Sequence, residues 1–164
     1  MKKYNFDMKR LKQNHHWQTP QYIIDALGEF DLDPCPNRYN PTRLAKFGFV
    51  LDSFYLDEGG LIEDWFGRVW LNPPYGQLCK FWMQRFSDHG NGIALIPPRV
   101  GSKWFHDAVF KKCDAILFLE GRISFLNENL QPMKGNNSDS CLIAFGDDNV
   151  TCLEKCNLKG KMMY

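Results

Sequence analysis

Apolar and polar positions change period in a regular order along this chain, and the changes predict its elements. In TPQYIIDALG, Ile23, Ile24 and Leu27 share one face of a short helix, with Thr19 as N-cap, Pro20 in the first helical position and Gly28 as terminator. Phe30 and Leu32 then alternate with acids until Pro34, which predicts a short strand ending at Asp33. Residues 37–60, rich in Asn, Asp, Gly and aromatics, read as a loop holding one short strand near 47–51. RVWL (68–71) is the next strand, and Leu78, Phe81, Trp82 and Phe86 at spacings of three and four predict a helix over 77–87. NGIALIP is continuously apolar, as expected of a strand covered on both faces. Ser102 can cap a helix to Lys112 that turns Trp104, Phe105, Ala108 and Val109 inward. DAILFLEG is another strand, and RISF and SCLIAFG are β segments on either side of the polar loop NENLQPMKGNNSD.

Strands alternating with helices predict an α/β domain in three layers with a mostly parallel sheet. At 164 residues the chain suits one domain, read here as a basic arm (1–16), a main domain (17–150) and a C-terminal tail (151–164). Hydrophobic residues make up 44% and charged residues 24%, and no apolar run is long enough to span a membrane. The N-terminus lacks the apolar segment of a secretory signal, so a soluble cytoplasmic protein is expected. The six cysteines are scattered without a CxxC pair, which argues for free thiols and against a metal site. Net charge is only +1, but residues 1–16 carry +4, residues 17–71 carry −5 and residues 72–134 carry +3. That asymmetry suits a polyanion meeting the arm and the second half, although a solvated surface can vary as much by chance.

The candidate chemistry lies at a strand end. Asn72-Pro73-Pro74-Tyr75 follows RVWL directly, and Asp33-Pro34 follows the first strand; ligands of open parallel sheets bind beyond such carboxyl ends. A Pro-Pro pair stops a strand in any case. Here it also leaves a rigid frame of carbonyl oxygens around the Asn72 amide, rich in acceptors and poor in donors. Such a frame suits a substrate that donates, above all the exocyclic amino group of a nucleobase. With one hydrogen bond to the Asn72 side-chain oxygen and one to the Pro73 carbonyl, the nitrogen is drawn toward tetrahedral geometry and becomes a nucleophile. Tyr75 would stack on an extruded base.

These residues resemble the catalytic signature of S-adenosylmethionine-dependent amino-methyltransferases, and the chain as a whole is similar to the small phage-type DNA N6-adenine methyltransferases (the Dam-like phage family). The likeness spans roughly residues 17–146: Trp17-Gln18-Thr19-Pro20, Phe30-Asp31-Leu32-Asp33-Pro34, Gly60-Leu61, Trp65, Asn72-Pro73-Pro74-Tyr75, Leu95-Ile96-Pro97 and Gly121-Arg122-Ile123-Ser124-Phe125. The resemblance implies a Rossmann-like methyltransferase fold with antiparallel strands at the C-terminal end. It implies S-adenosyl-L-methionine as cofactor, held by Trp17, Thr19, Pro20, Asp33, Pro34 and Cys35, with Asp33 facing the methionine ammonium. Asp57 and Glu58 are weaker candidates for its ribose or adenine. Asn72, Pro73, Pro74 and Tyr75 would be catalytic, and Tyr75, Arg122 and Phe125 would meet the DNA, with Phe125 on the far side of the flipped base and Arg122 on phosphate or paired with Glu120 or Glu128.

One departure stands out: Asp33-Pro34-Cys35-Pro36 has no glycine where most methyltransferases carry a glycine-rich turn. The function expected is transfer of a methyl group to adenine N6 in DNA, in phage or prophage DNA modification that protects against restriction. Its nearest alternatives are cytosine N4, RNA or a protein glutamine as acceptor. A different class of answer is a non-catalytic nucleic-acid-binding module built on the basic arm and the aromatics Trp17, Tyr75 and Phe125. DNA is the expected partner, without a membrane or a metal, and the oligomeric state stays open between monomer and weak dimer.

Overall fold

The computed structural model of the chain describes residues 17–36, 45–48, 59–133 and 136–164. The elements in chain order are α1 (Gln21–Leu27), β1 (Leu32–Asp33), β2 (Phe47–Gly48), a 3-10 turn (Gly59–Leu61), β3 (Val69–Leu71), α2 (Cys79–His89) and β4 (Gly92–Ile96). There follow α3, helical over Lys103–Phe105 and continued by a π-helical turn over His106–Phe110, then β5 (Ala115–Leu119), β6 (Cys141–Phe145), α4 (Asp147–Lys155) and β7 (Gly160–Met163).

The strands form one sheet in the order β2-β1-β3-β4-β6-β5-β7. β2, β1, β3 and β4 pair in parallel, with Leu32 opposite Val69 and Trp70 opposite Ile93. β6 then inserts antiparallel between β4 and β5, and β7 pairs antiparallel with the outer side of β5. The fold is therefore mixed α/β, with β1 to β5 running one way and β6 and β7 the other.

Side-chain alternation explains the layers. Val69 and Leu71 of β3 join Trp82, Met83 and Phe86 of α2 and Phe105 and Val109 of α3 in one core; Trp70 joins Ile23, Ile24 and Leu27 of α1 and Leu153 of α4 in the other. Helices thus cover both faces of the sheet. The pairing of β3 with β4 also needs Gly92, whose φ is +147° and where a Cβ would lie 2.1 Å from the Val69 carbonyl oxygen.

A polar knot ties the elements at the sheet end opposite the carboxyl ends of β1 and β3. The Arg68 guanidinium donates to the Leu27 and Glu29 carbonyls and to Asn149 Oδ1, at 2.9, 2.7 and 2.6 Å, and lies over the Phe30 ring. Buried Asn149 in turn donates to Asn91 Oδ1 and to the Phe145 carbonyl.

Several expectations change. α1 begins at Gln21 with Pro20 in the cap position, a residue with no side-chain acceptor to offer, while the Thr19 hydroxyl one residue earlier accepts from Asn72 Nδ2. Ser102 does occupy the N-cap position of α3, but its side chain makes no cap bond; its hydroxyl donates to the Arg99 carbonyl. RISF is not a strand: Ile123 and Phe125 are buried, but the ladder reduces to isolated bridges from Leu126 to Gln18 and to Pro132. The boundary drawn at residue 150 falls inside α4, and residues 160–163 of the expected tail form β7. The basic arm, Asp57 and Glu58 lie outside the described residues. Among the described residues no helix is long and apolar enough to cross a membrane.

Candidate active site

From β1 the chain moves outward to β2 and then returns to lay β3 on the other side of β1, with β4 beyond it. Connections that diverge from two adjacent parallel strands leave a crevice at the strands' carboxyl ends. Asp33 is the last residue of β1 and Asn72 the first after β3, so the two sequence motifs flank this crevice.

Asn72 inherits its direction from the alternation of β3. Trp70 faces α1, and two residues on Asn72 turns the same way, where its Nδ2 donates to Thr19 Oγ1 at 3.1 Å. Its Oδ1 has no partner among the described residues. Pro73 and Pro74 bring no N–H to the turn, so the frame around that oxygen remains one of acceptors.

The tripeptide Trp17-Gln18-Thr19 brackets the same turn. Gln18 exchanges two backbone hydrogen bonds with Leu126, each 2.9 Å, which fixes Thr19 beneath Asn72 and sets Trp17 beside Phe125. Trp17 stacks on Phe125 with ring centroids 6.0 Å apart and planes at 27°, and Phe125 meets Tyr75 edge-on at 6.1 Å and 79°. Phe125 is only 2% exposed, so it acts as the wall on which Trp17 and Tyr75 lean. The Trp17 Nε1 and the Tyr75 hydroxyl are both buried without a hydrogen-bond partner among the described residues. Burial also holds the Tyr75 phenol well above its ordinary range, so it stays protonated and able to donate.

Asp33 is 5% exposed and accepts one hydrogen bond, from the Cys35 backbone N–H at 2.9 Å. Burial pushes its carboxyl up to about 7, and the Cys35 N–H offsets only part of that. No Lys or Arg pairs with it among the described residues. A desolvated carboxylate so placed is under-compensated and favours a cation. Cys35 and Cys79 are kept as neutral thiols, Cys35 well above its ordinary range and Cys79 pushed up to about 12, in both cases chiefly by burial.

The missing glycine-rich turn has a counterpart in space. Gly60 packs so closely on the Pro34 carbonyl that a Cβ there would lie 1.8 Å from the oxygen. The Trp65 indole N–H donates to the Gly60 carbonyl while its ring stacks on Trp82, which binds this turn to α2. Close backbone approach at the end of β1 thus comes from a glycine far along the chain.

The remaining residues are spread more widely. Pro20 is buried at the start of α1, and exposed Arg122 pairs at 3.6 Å with Asp139, a partner the sequence did not single out. Ser140 was missed altogether. Its Oγ is buried without a partner among the described residues, and its carbonyl accepts from Leu119 N at the carboxyl end of β5. Nothing local marks it, because only the reversed direction of β6 brings a residue preceding a strand to this end of the sheet.

Sheet, crevice and unpaired acceptors together define an α/β protein equipped to hold a cationic ligand beside an amine donor. The chain belongs to the DNA N-6-adenine-methyltransferase (Dam) family, whose model matches residues 8–159. A DNA N-6-adenine-methyltransferase of Escherichia phage T1 is 28% identical to it over 152 residues, covering 77% of this chain and 60% of that protein. The chain thus spans less than two thirds of the length of this relative. No solved structure matches the chain significantly.

Proposed function

We propose that this protein is a phage-type DNA methyltransferase that transfers the methyl group of S-adenosyl-L-methionine to N6 of an adenine flipped out of DNA. The observation that carries the reading is the Asn72 amide, held through its nitrogen with its oxygen unpaired at the carboxyl end of β3. Family membership supports adenine over cytosine as the base. The strand order, with its divergence between β1 and β3, supports a Rossmann-like methyltransferase architecture.

The cofactor fits the residues present. Asp33 has no cationic partner among the described residues, and the ammonium of a bound amino acid moiety would supply one. Thr19, Pro20, Pro34 and Cys35 are proposed to hold the rest of the cofactor, together with Trp17, whose indole N–H is buried without a partner among the described residues. When bound, S-adenosyl-L-methionine supplies a methyl carbon on a sulfonium, a leaving group that departs as a neutral thioether.

The chain's own part is positioning. Asn72 Oδ1 and the Pro73 carbonyl each accept one hydrogen of the adenine amino group, which aims its lone pair out of the ring plane. Tyr75 stacks on the base, and Phe125 holds Tyr75 in place from behind. With the cofactor bound, N6 so held would take up the methyl group as the neutral thioether leaves, and would release one proton to water. No strong base is needed, because the proton leaves a nitrogen made acidic by alkylation; catalysis is orientation and electrostatics. Arg122 and the basic arm are proposed phosphate contacts.

A non-catalytic DNA-binding module explains the basic arm but gives no reason for an unpaired carboxylate buried at a strand end. The reading is tested by incubating the protein with unmethylated DNA and methyl-labelled cofactor, then separating the nucleosides. Label in N6-methyldeoxyadenosine supports it, and label in N4-methyldeoxycytidine, or transfer to RNA alone, overturns it.

A further inference from the structure

We infer that Arg99 is a substrate-binding residue whose guanidinium holds the DNA phosphate next to the flipped adenine. This inference deepens the proposed function and rests on that reading of the site.

The acceptor frame that suits an amine is hostile to the anion that comes attached to it. Pro73 and Pro74 after β3 bring no N–H, and after β4 the chain repeats the pattern with Pro97 and Pro98. β4 lies directly beside β3, and the pairing of Leu71 with Ala94 carries Asn72 level with Leu95. Two neighbouring strands thus lead into Pro-Pro pairs that offer a phosphate carbonyl oxygens and no N–H. A nucleotide brought there by its base needs its phosphate bound by a side chain.

Arg99 is placed to do so. It is the third residue after β4, and it is exposed. Of the four described arginines, Arg68 binds carbonyls and Asn149, Arg85 donates to the Glu63 carbonyl, and Arg122 pairs with Asp139. The Arg99 guanidinium has no partner among the described residues. Its charge nevertheless reaches the wall of the crevice: burial raises the Cys79 thiol, and Arg99 offsets part of that rise. Cys79 opens α2, four residues past Tyr75. Asp33 feels no such cation, so the crevice has an anionic side at β1, suited to an ammonium, and a cationic side at β4.

The backbone that carries the guanidinium is fixed. The Arg99 N–H donates to the Pro97 carbonyl at 2.9 Å, and the Ser102 N–H and hydroxyl both donate to the Arg99 carbonyl, at 2.9 and 2.7 Å. A side chain on so fixed a base loses less freedom on binding, and its planar fork matches two phosphate oxygens. The distribution of acids agrees. Asp88 and Asp114 precede β4 and β5, and Asp147 and Asp148 follow the reversed β6, so all four stand at the opposite end of the sheet. A polyanion is thereby directed to the carboxyl ends of β3 and β4.

The test is DNA binding without turnover, with the demethylated cofactor present and with DNA that carries an extrahelical adenine. Arg99→Gln should weaken affinity about tenfold at about 0.1 M salt and make the slope of log K against log salt shallower by about one, the loss of one phosphate contact. Arg99→Lys keeps the charge and should keep the slope. Lys111→Gln, which removes an exposed cation paired with Asp107, should change neither. The cofactor Kd of Arg99→Gln, measured by calorimetry, should equal that of wild type.

Methylphosphonate linkages, each of which removes the charge of one phosphate, locate the contact. At one of the two phosphates flanking the adenine, the neutral linkage should weaken wild type about tenfold and Arg99→Gln less than about threefold, the non-additivity of two changes to a single contact. An unchanged salt slope in Arg99→Gln, a raised cofactor Kd in that variant, or equal losses in both proteins at each flanking linkage overturns the inference. A wild-type protein that methylates no adenine would sink the proposed function, while these binding measurements would still decide whether Arg99 holds that phosphate.

Discussion

Gly60 and the carbonyl of Pro34 are in such close contact that the smallest side chain has no room between them: a Cβ at residue 60 would stand 1.8 Å from the oxygen and 3.0 Å from Trp82. The contact presses the 3-10 turn onto the end of β1, next to Asp33. Backbone cannot yield as a flexible side chain can, so Gly60→Ala should displace Pro34 and the Asp33 carboxylate with it. A loss of about 1–3 kcal/mol in folding stability is expected, the usual cost of overpacking. Cofactor affinity, measured by calorimetry on the folded fraction, should fall at least tenfold. Gly101→Ala, at a position where an added Cβ meets nothing within 4 Å, should leave that affinity unchanged.

Asp33 should trade stability for binding. The folded protein holds its proton up to about 7, against 3.8 for the ordinary carboxyl, because burial penalises the charge. Between those values the native state binds more protons than the unfolded chain, so this group's contribution to stability declines as pH rises from about 4 to about 7. Asp33→Asn keeps an acceptor for the Cys35 N–H without the charge. Its Tm should therefore exceed that of wild type by a margin that grows over this pH window and is constant above it. The variant should fail to bind the cofactor at any pH. In wild type the Kd should rise about tenfold for each pH unit below the Asp33 pKa, since only the ionised carboxylate pairs with an ammonium.

The knot at the other end of the sheet should behave in the opposite way. Asn149→Ala removes a fully buried side chain and strips part-buried Arg68 Nε and the buried Phe145 carbonyl of a partner, at a cost of about 2–4 kcal/mol in stability by urea unfolding. It touches nothing at the carboxyl ends of β1 or β3. Its kcat at a temperature where it remains folded should equal that of wild type, and a large fall in kcat would mean that the knot reaches the site.

Tyr75 separates its ring from its hydroxyl. Because the hydroxyl is buried without a partner among the described residues, Tyr75→Phe should be neutral or stabilising by up to about 1 kcal/mol and should keep most of the turnover. Tyr75→Ala removes the face that grips the base and the edge contact with Phe125, and should weaken binding of DNA with an extrahelical adenine by about 1–3 kcal/mol, the worth of one stacked base.

How much of this was legible in the sequence follows from how local each feature is. Asn72-Pro73-Pro74-Tyr75 could be read because its chemistry is carried by neighbours in the chain, and the end of β1 could be read because Pro34 stops a strand wherever it occurs. Thr19 misled as an N-cap, since the helix starts one residue later with Pro20 in that position, and the partner of its hydroxyl lies 53 positions away. RISF has the alternation of a strand, yet it owes that pattern to two side chains buried against α1 and not to a ladder. α4 escaped notice because its buried residues are one leucine and one asparagine, and β7 because an exposed edge strand has no apolar period. The insertion of β6 between β4 and β5 is a matter of sheet order, which no short stretch encodes.

The central claim is that the Asn72 side-chain oxygen prepares an amine nitrogen for attack, and single-turnover methyl transfer by Asn72→Ala tests it most directly. With cofactor and DNA both prebound at saturating levels, the rate should fall by about 10²- to 10³-fold, as for loss of one preorganised polar group at a reacting centre, while the cofactor Kd stays within a few-fold of wild type. Transfer at the wild-type rate from the same preformed complex would contradict the account.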